Sequence, residues 1–225
     1  MVPIVSVGSF LGAVGHSSQL RIHSIRVRID EARTAGSHLG RQGHFAINSG
    51  IVNLLNSMGG TSKILLGCIV AGMMSIDMGG PFNKAAYVFG TASIASGQFD
   101  IMASVMIGGM VPPIAIALAT TFFKNRFTKS EQQTSITNYI MGLSFITEGA
   151  IPFAASDPLH VLPSCIIGSA IAGGMSMLFG CTLMAPHGGI FVFPVVGNAV
   201  MYLVSLVVGT VISAVLLGLL KKKVA

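Results

Sequence analysis

The sequence predicts an all-α, polytopic helical membrane protein with broken or re-entrant hairpins, and three observations carry that prediction. The chain of 225 residues is 52% hydrophobic and only 9% charged, with 28 Gly and a mean hydropathy of +0.79. A soluble domain carries roughly 25% charged residues. Apolar runs at 101–123, 161–184 and 199–220 are long enough to cross a hydrocarbon core, which takes about 20 residues. Other apolar stretches are cut by Gly and Pro, which irregular backbone tolerates at membrane depth only inside protein or around a wet cavity.

In chain order, residues 1–45 form an atypical segment and residues 46–225 a membrane domain. Apolar sequence stops after Val14, and residues 15–45 then hold five of the six Arg and four of the six His. No helical or strand period runs through them. A basic solvated loop, a frameshifted reading of a membrane span and an Arg-rich phospholipid-binding arm are the three readings. Residues 64–76 and 85–97 are apolar but short for simple spans. Run 101–123 contains Pro112-Pro113, expected to kink its helix because proline removes a donor and crowds the preceding turn. The polar stretch 124–134, with Lys124, Arg126 and Lys129, reads as a cytoplasmic loop, and Lys221, Lys222 and Lys223 place the C-terminus on the same side. An even number of crossings must then separate the two, and runs 161–184 and 199–220 supply it. Segments 137–155 and 186–196 are therefore expected to be re-entrant or broken hairpins, where a binding site belongs.

Composition also excludes several classes. The net charge of +6 is split between clusters and a short loop, so no basic face for nucleic acid is present. Cys68, Cys165 and Cys181 are odd in number and lie in apolar runs. They read as packing thiols rather than a disulfide framework or a zinc site. No metal and no cofactor is expected. Met-rich helices and spacings of the GxxxG kind are assigned to packing.

The candidate site rests on rare polar groups. Five acidic residues lie outside the 15–45 segment, and three of them, Asp77, Glu148 and Asp157, sit beside Gly/Pro breaks. A charge at such depth costs about 2.5–3.5 kcal/mol, which makes each a candidate functional group. Glu148 lies in SFITEGAIPF; its carboxylate can accept hydrogen bonds from vicinal sugar hydroxyls, or take a proton from a hydroxyl under phosphorylation if burial raises its pKa. His187, in APHGGIF, both donates and accepts when neutral. It reads either as a ligand for a sugar hydroxyl or as a histidine bonded to a hairpin carbonyl. In DMGGPFNKAA, an Asp77–Lys84 ion pair pinning a broken helix stands beside Asn83 as a hydroxyl ligand.

Four motifs in order, DMGGPFNKAAY, GMVPPIAIALAT, LSFITEGAIPFAASDPL and LFGCTLMAPHGGIF, resemble the second half of fructose-type enzyme IIC, the membrane subunit of the bacterial phosphotransferase system. The resemblance runs from about Ala46 to Leu220. It implies a permease of the plasma membrane that binds a fructose-like hexose, carries it inward by an elevator-like movement and presents it for phosphorylation by a partner IIB, itself served by IIA. It also implies that Glu148 contacts the sugar hydroxyls and that a complete subunit forms a homodimer. The N-terminal helices of such a subunit and any IIA or IIB motif are absent from the sequence, so a truncated or split permease is the accompanying expectation, and phosphoryl transfer requires separate components.

Overall fold

The computed structural model describes residues 60–222. All three readings of the 15–45 segment fall outside these residues, as does the boundary at residue 46. The described part is helical: α1 (Gly60–Ile76), α2 (Pro81–Ala95), α3 (Phe99–Phe122), α4 (Lys129–Leu143), α5 (Ile151–Ser156), α6 (Pro158–Leu178) and α7 (Ala199–Leu220), with a two-stranded ribbon, β1 (Thr182–Leu183) and β2 (Val196–Gly197), between the last two. The three long apolar runs become α3, α6 and α7, each long and apolar enough to cross a membrane.

Helix α3 is apolar on every side and buried on nearly every side, which puts it at the centre of the described residues. It runs unbroken through Pro112 and Pro113. Pro112 has no amide to offer the Gly108 carbonyl one turn earlier. That carbonyl is satisfied instead by hydroxyls from neighbouring helices, Ser169 on α6 at 2.9 Å and Ser75 on α1 at 3.5 Å. The two hydroxyls also bond each other at 2.5 Å. A sequence defect in one helix thus becomes a polar tie among three.

Small residues let these helices approach closely. Gly67 of α1 faces the Gly173 carbonyl of α6, Gly173 faces the Gly67 carbonyl in return, and Gly108 lies on the Ala71 backbone. Gly168 and Gly209 form the same kind of reciprocal contact between α6 and α7. Without a hydrophobic drive between helices in lipid, such backbone contact and the van der Waals packing it permits are what hold them together. The three cysteines are free; Cys165 and Cys181 are buried and Cys68 is half-buried.

The contacts also fix direction. Lys63 at the start of α1 pairs with Asp100 at the start of α3 at 3.4 Å, and Met74 near the end of α1 reaches Gly109 in the middle of α3. Helix α1 therefore runs parallel to α3 and stops halfway along it. Helix α2 returns, with Gly90 against Met102 and Val105. The turn at 77–80 is thus a reversal, where Met78 (φ 42°) and Gly79 (φ 117°) occupy the left-handed region. Helix α4 runs back along α3, with Thr120 bonded to Ser135 at 2.6 Å and Gly142 against Ile114. Helix α6 is antiparallel to α7, pairing Gly168 with Ser213 and Ala172 with Gly209.

Several sequence expectations are corrected here. Residues 124–134 are not a loop throughout: Lys124–Arg126 form one 3-10 turn and α4 begins at Lys129. The reason is a capping box, in which Thr128 Oγ1 accepts from the Glu131 amide at 3.2 Å and Glu131 Oε2 accepts from the Thr128 amide at 2.7 Å. Run 161–184 starts earlier, at Pro158, and ends at Leu178, where Gly180 turns left-handed (φ 61°). The fold is not purely α, because β1 and β2 pair antiparallel in the register Thr182↔Gly197 and Leu183↔Val196. Ion pairing of Asp77 with Lys84 does not occur. Among the described residues the ion pairs are Lys63–Asp100, His160–Asp157 and Lys221–Glu131.

Candidate functional site

Three interrupted segments converge beside the middle of α3, and each is interrupted for a local reason. The first is the reversal at 77–80. The half-buried Asp77 carboxylate accepts from the Phe82 amide at 2.7 Å and the Asn83 amide at 2.9 Å. It thereby satisfies two orphan donors at the start of α2 and complements the positive end of that helix. Asn83 is held in turn: its Nδ2 donates to the Met74 carbonyl at 2.8 Å, which leaves Oδ1 as its remaining acceptor.

The second segment follows α4. Phe145 takes φ 63°, a left-handed conformation uncommon for a residue with a bulky side chain. A 3-10 turn, Thr147–Ala150, then carries Glu148. The third is the loop from Pro186 to Gly189. Gly189 (φ 56°) lies so close to the Leu143 carbonyl that any side chain there would collide with it, so the loop is seated on the end of α4.

Phe145 joins the three. Its ring is buried against α3 at Gly109, where an added Cβ would sit 2.5 Å from Cε2. The same ring contacts His187, with centroids 5.1 Å apart, and Tyr87 of α2 at 6.2 Å. Gly79 faces the Glu148 side chain, whose Oε1 would be 3.5 Å from a Cβ at that position. Around these residues lies a cavity of about 600 Å³, lined by Asn83, Tyr87, Phe145, Glu148 and His187 together with Met74, Ile146 and Thr147. That volume is within the range of small-molecule sites.

Of the sequence-predicted site residues, Glu148, His187 and Asn83 are brought together in this cavity. Glu148 and His187 are exposed there. Asp77 stands behind the site as the anchor of Asn83. Asp157 is elsewhere, with Oδ1 2.6 Å from His160 Nδ1 at the start of α6. Tyr87, Phe145 and Thr147 escaped sequence reasoning because an aromatic or a threonine in an apolar run carries no polar signal. Asn138 escaped as well. It is buried on α4 directly behind Gly149, and its Nδ2 has no partner. No group of His, Cys, Asp and Glu able to hold a metal ion is found among the described residues.

Three helices long and apolar enough to cross a membrane define a multi-pass membrane protein, and a cavity lies between its interrupted segments. Comparison with known proteins makes the class particular. The chain is 52% identical over 174 residues to the PTS system fructose-specific EIIABC component of Bacillus subtilis, a match covering 77% of this chain and 27% of that protein. It is 52% identical over 174 residues to the fructose permease IIC component of Bacillus amyloliquefaciens, covering 77% and 57%. It is 45% identical over 175 residues to the PTS system fructose-specific EIIC component of Haloferax volcanii, covering 77% and 47%. The chain belongs to the fructose-specific family of the phosphotransferase system. It spans between 27% and 57% of the length of these relatives. No protein-family profile matches the chain, and no solved structure does.

Proposed function

We propose that the chain is a membrane permease component of the phosphotransferase system that binds a fructose-like hexose in the central cavity and translocates it for phosphorylation by a partner IIB, with IIA as phosphate source. The observation that carries this reading is the convergence of Glu148, Asn83 and His187 on one cavity with the rings of Tyr87 and Phe145. A monosaccharide offers a rim of hydroxyls and faces of C–H. The carboxylate of Glu148 and Oδ1 of Asn83 accept from hydroxyls, and the His187 ring donates or accepts. The aromatic rings present apolar surface to the C–H face. Asp77 contributes by holding Asn83, and Glu148 is the group nearest to a role as proton acceptor when a hydroxyl is phosphorylated. Asp157 acts away from the sugar, as the partner of His160.

In this reading segments 137–155 and 186–196 are re-entrant or broken hairpins that meet beside the middle of α3. What supports it is that Phe145 lies against Gly109 in the middle of α3 and that Gly189 is seated on the Leu143 carbonyl next to the Phe145 amide. The C-terminus lies in the cytoplasm, as the basic residues at 124–129 and 221–223 favour. Arg126 donating to the Leu219 carbonyl at 3.0 Å keeps those two ends together. Homodimer formation follows the resemblance to complete subunits.

The test is direct binding of fructose to purified protein carrying Glu148→Gln. A hydrogen bond to a charged group is worth about 1.5–3 kcal/mol, so affinity should fall roughly ten- to hundredfold. Unchanged affinity in a folded variant would remove Glu148 from the site.

A further inference from the structure

A second cavity, of about 490 Å³, lies at the far end of α3 from the Lys63–Asp100 pair and is formed by residues 121–126. Its lining changes character within a few residues. Phe122 is 73% exposed and Phe123 half-buried, whereas Lys124 and Asn125 are exposed and polar and Arg126 is half-buried. The apolar run of α3 ends at Phe122. The cavity therefore straddles the level at which hydrocarbon gives way to headgroups.

Among the described residues its charge is uncompensated. Lys124 makes no ion pair among the described residues, and Arg126 uses one guanidinium nitrogen, NH1, on the Leu219 and Lys221 carbonyls, leaving the others to donate elsewhere. Glu131 is the only acid between residues 121 and 131. It is already taken by Lys221 at 3.1 Å and by the Thr128 cap. The backbone is also fixed in shape, because Gln132 Nε2 donates to the Lys124 carbonyl at 2.9 Å and the Phe127 carbonyl at 2.8 Å.

We propose that this cavity binds the headgroup of an anionic phospholipid, with the phosphodiester held by Lys124 and the free N–H groups of Arg126, Asn125 beside it and the acyl chains along Phe122. Guanidinium suits the paired oxygens of a phosphate. Basic pockets at the membrane surface gain from the excess of anionic lipid there. The clamp of Arg126 on the end of α7 means that the bound lipid would brace the junction of α3 and α7.

The experiment is a titration of the detergent-purified full chain with phosphatidylglycerol or phosphatidylcholine, read by thermal unfolding. Phosphatidylglycerol should raise the unfolding temperature and phosphatidylcholine should not. Lys124→Gln, at an exposed position, should weaken the apparent affinity for phosphatidylglycerol about fivefold, the loss of one cation near an anionic surface. Asn125→Asp should abolish the shift by placing a carboxylate in the cavity. Lys129→Gln, outside the cavity, should leave it unchanged. Equal shifts with both lipids, an equal loss in Lys129→Gln, an unaltered Asn125→Asp, or the same shift from soluble glycerol phosphate would each overturn the proposal.

Discussion

Phe145 shows how one residue can organise a site without offering it a polar group. Its backbone is left-handed, its ring is sunk against Gly109, and His187 and Tyr87 lean on it. Replacing Gly109 by Ala would put a methyl 2.5 Å from that ring. Overpacking of this kind costs about 1–3 kcal/mol. Gly109→Ala should therefore lower the unfolding temperature and weaken fructose binding together, although residue 109 does not line the cavity. Lowered stability with wild-type affinity would show that Phe145 does not set the position of His187. Asp77 is a second case. Its carboxylate caps the first turn of α2, and loss of a capping acceptor costs about 0.5–2 kcal/mol. Asp77→Ala should be destabilised by that amount in chemical unfolding, and Asp77→Asn, which keeps one acceptor oxygen, by less. Equal losses would mean that charge rather than hydrogen bonding holds the turn.

At the scale of elements, the decisive contacts are backbone against backbone. Gly67 and Gly173 face one another across α1 and α6 with no room for a side chain on either. Gly173→Leu should separate α1 from α6, and with it the Met74 wall of the cavity and the Ser75–Ser169 tie. The expected outcome is loss of the monodisperse peak in size-exclusion chromatography. Survival of a well-folded Gly173→Leu variant would contradict the packing described here. The Pro112 position makes the complementary point. The helix continues through it because Ser75 and Ser169 meet the Gly108 carbonyl, so the cost of proline in a helix interior is partly offset by tertiary hydrogen bonds.

At the scale of the whole molecule, a charged cluster ties the end of α7 to the start of α4. Burial acts to raise the Glu131 pKa, but the hydrogen bond from the Thr128 amide and the hydrogen bond and charge of Lys221 outweigh it and hold the carboxyl below its ordinary value of 4.5. A carboxylate whose pKa is depressed by folding contributes stability that is present above the ordinary value and is lost as pH falls through the folded one. The difference in unfolding temperature between wild type and Glu131→Gln should thus be constant above about pH 5.5 and shrink below 4.5. A difference independent of pH would show that Lys221 and the Thr128 amide gain nothing from the charge.

The sequence by itself determined the membrane class, the three long spans, the packing role of the glycines, and the polar residues Glu148, His187 and Asn83 of the candidate site. Hydropathy and breaks in it are local properties, so a linear reading suffices for them. Only the tertiary structure decided that residues 77–80 reverse the chain, that Asp77 serves amides rather than Lys84, that Asp157 stands with His160 outside the cavity, and that Phe145, Tyr87 and Thr147 complete the lining. Each of these depends on which distant segment comes to lie opposite, and in a chain where nearly every stretch is apolar the pattern of hydrophobicity cannot choose among partners. Close glycine contacts and the few polar groups that must find one another make that choice.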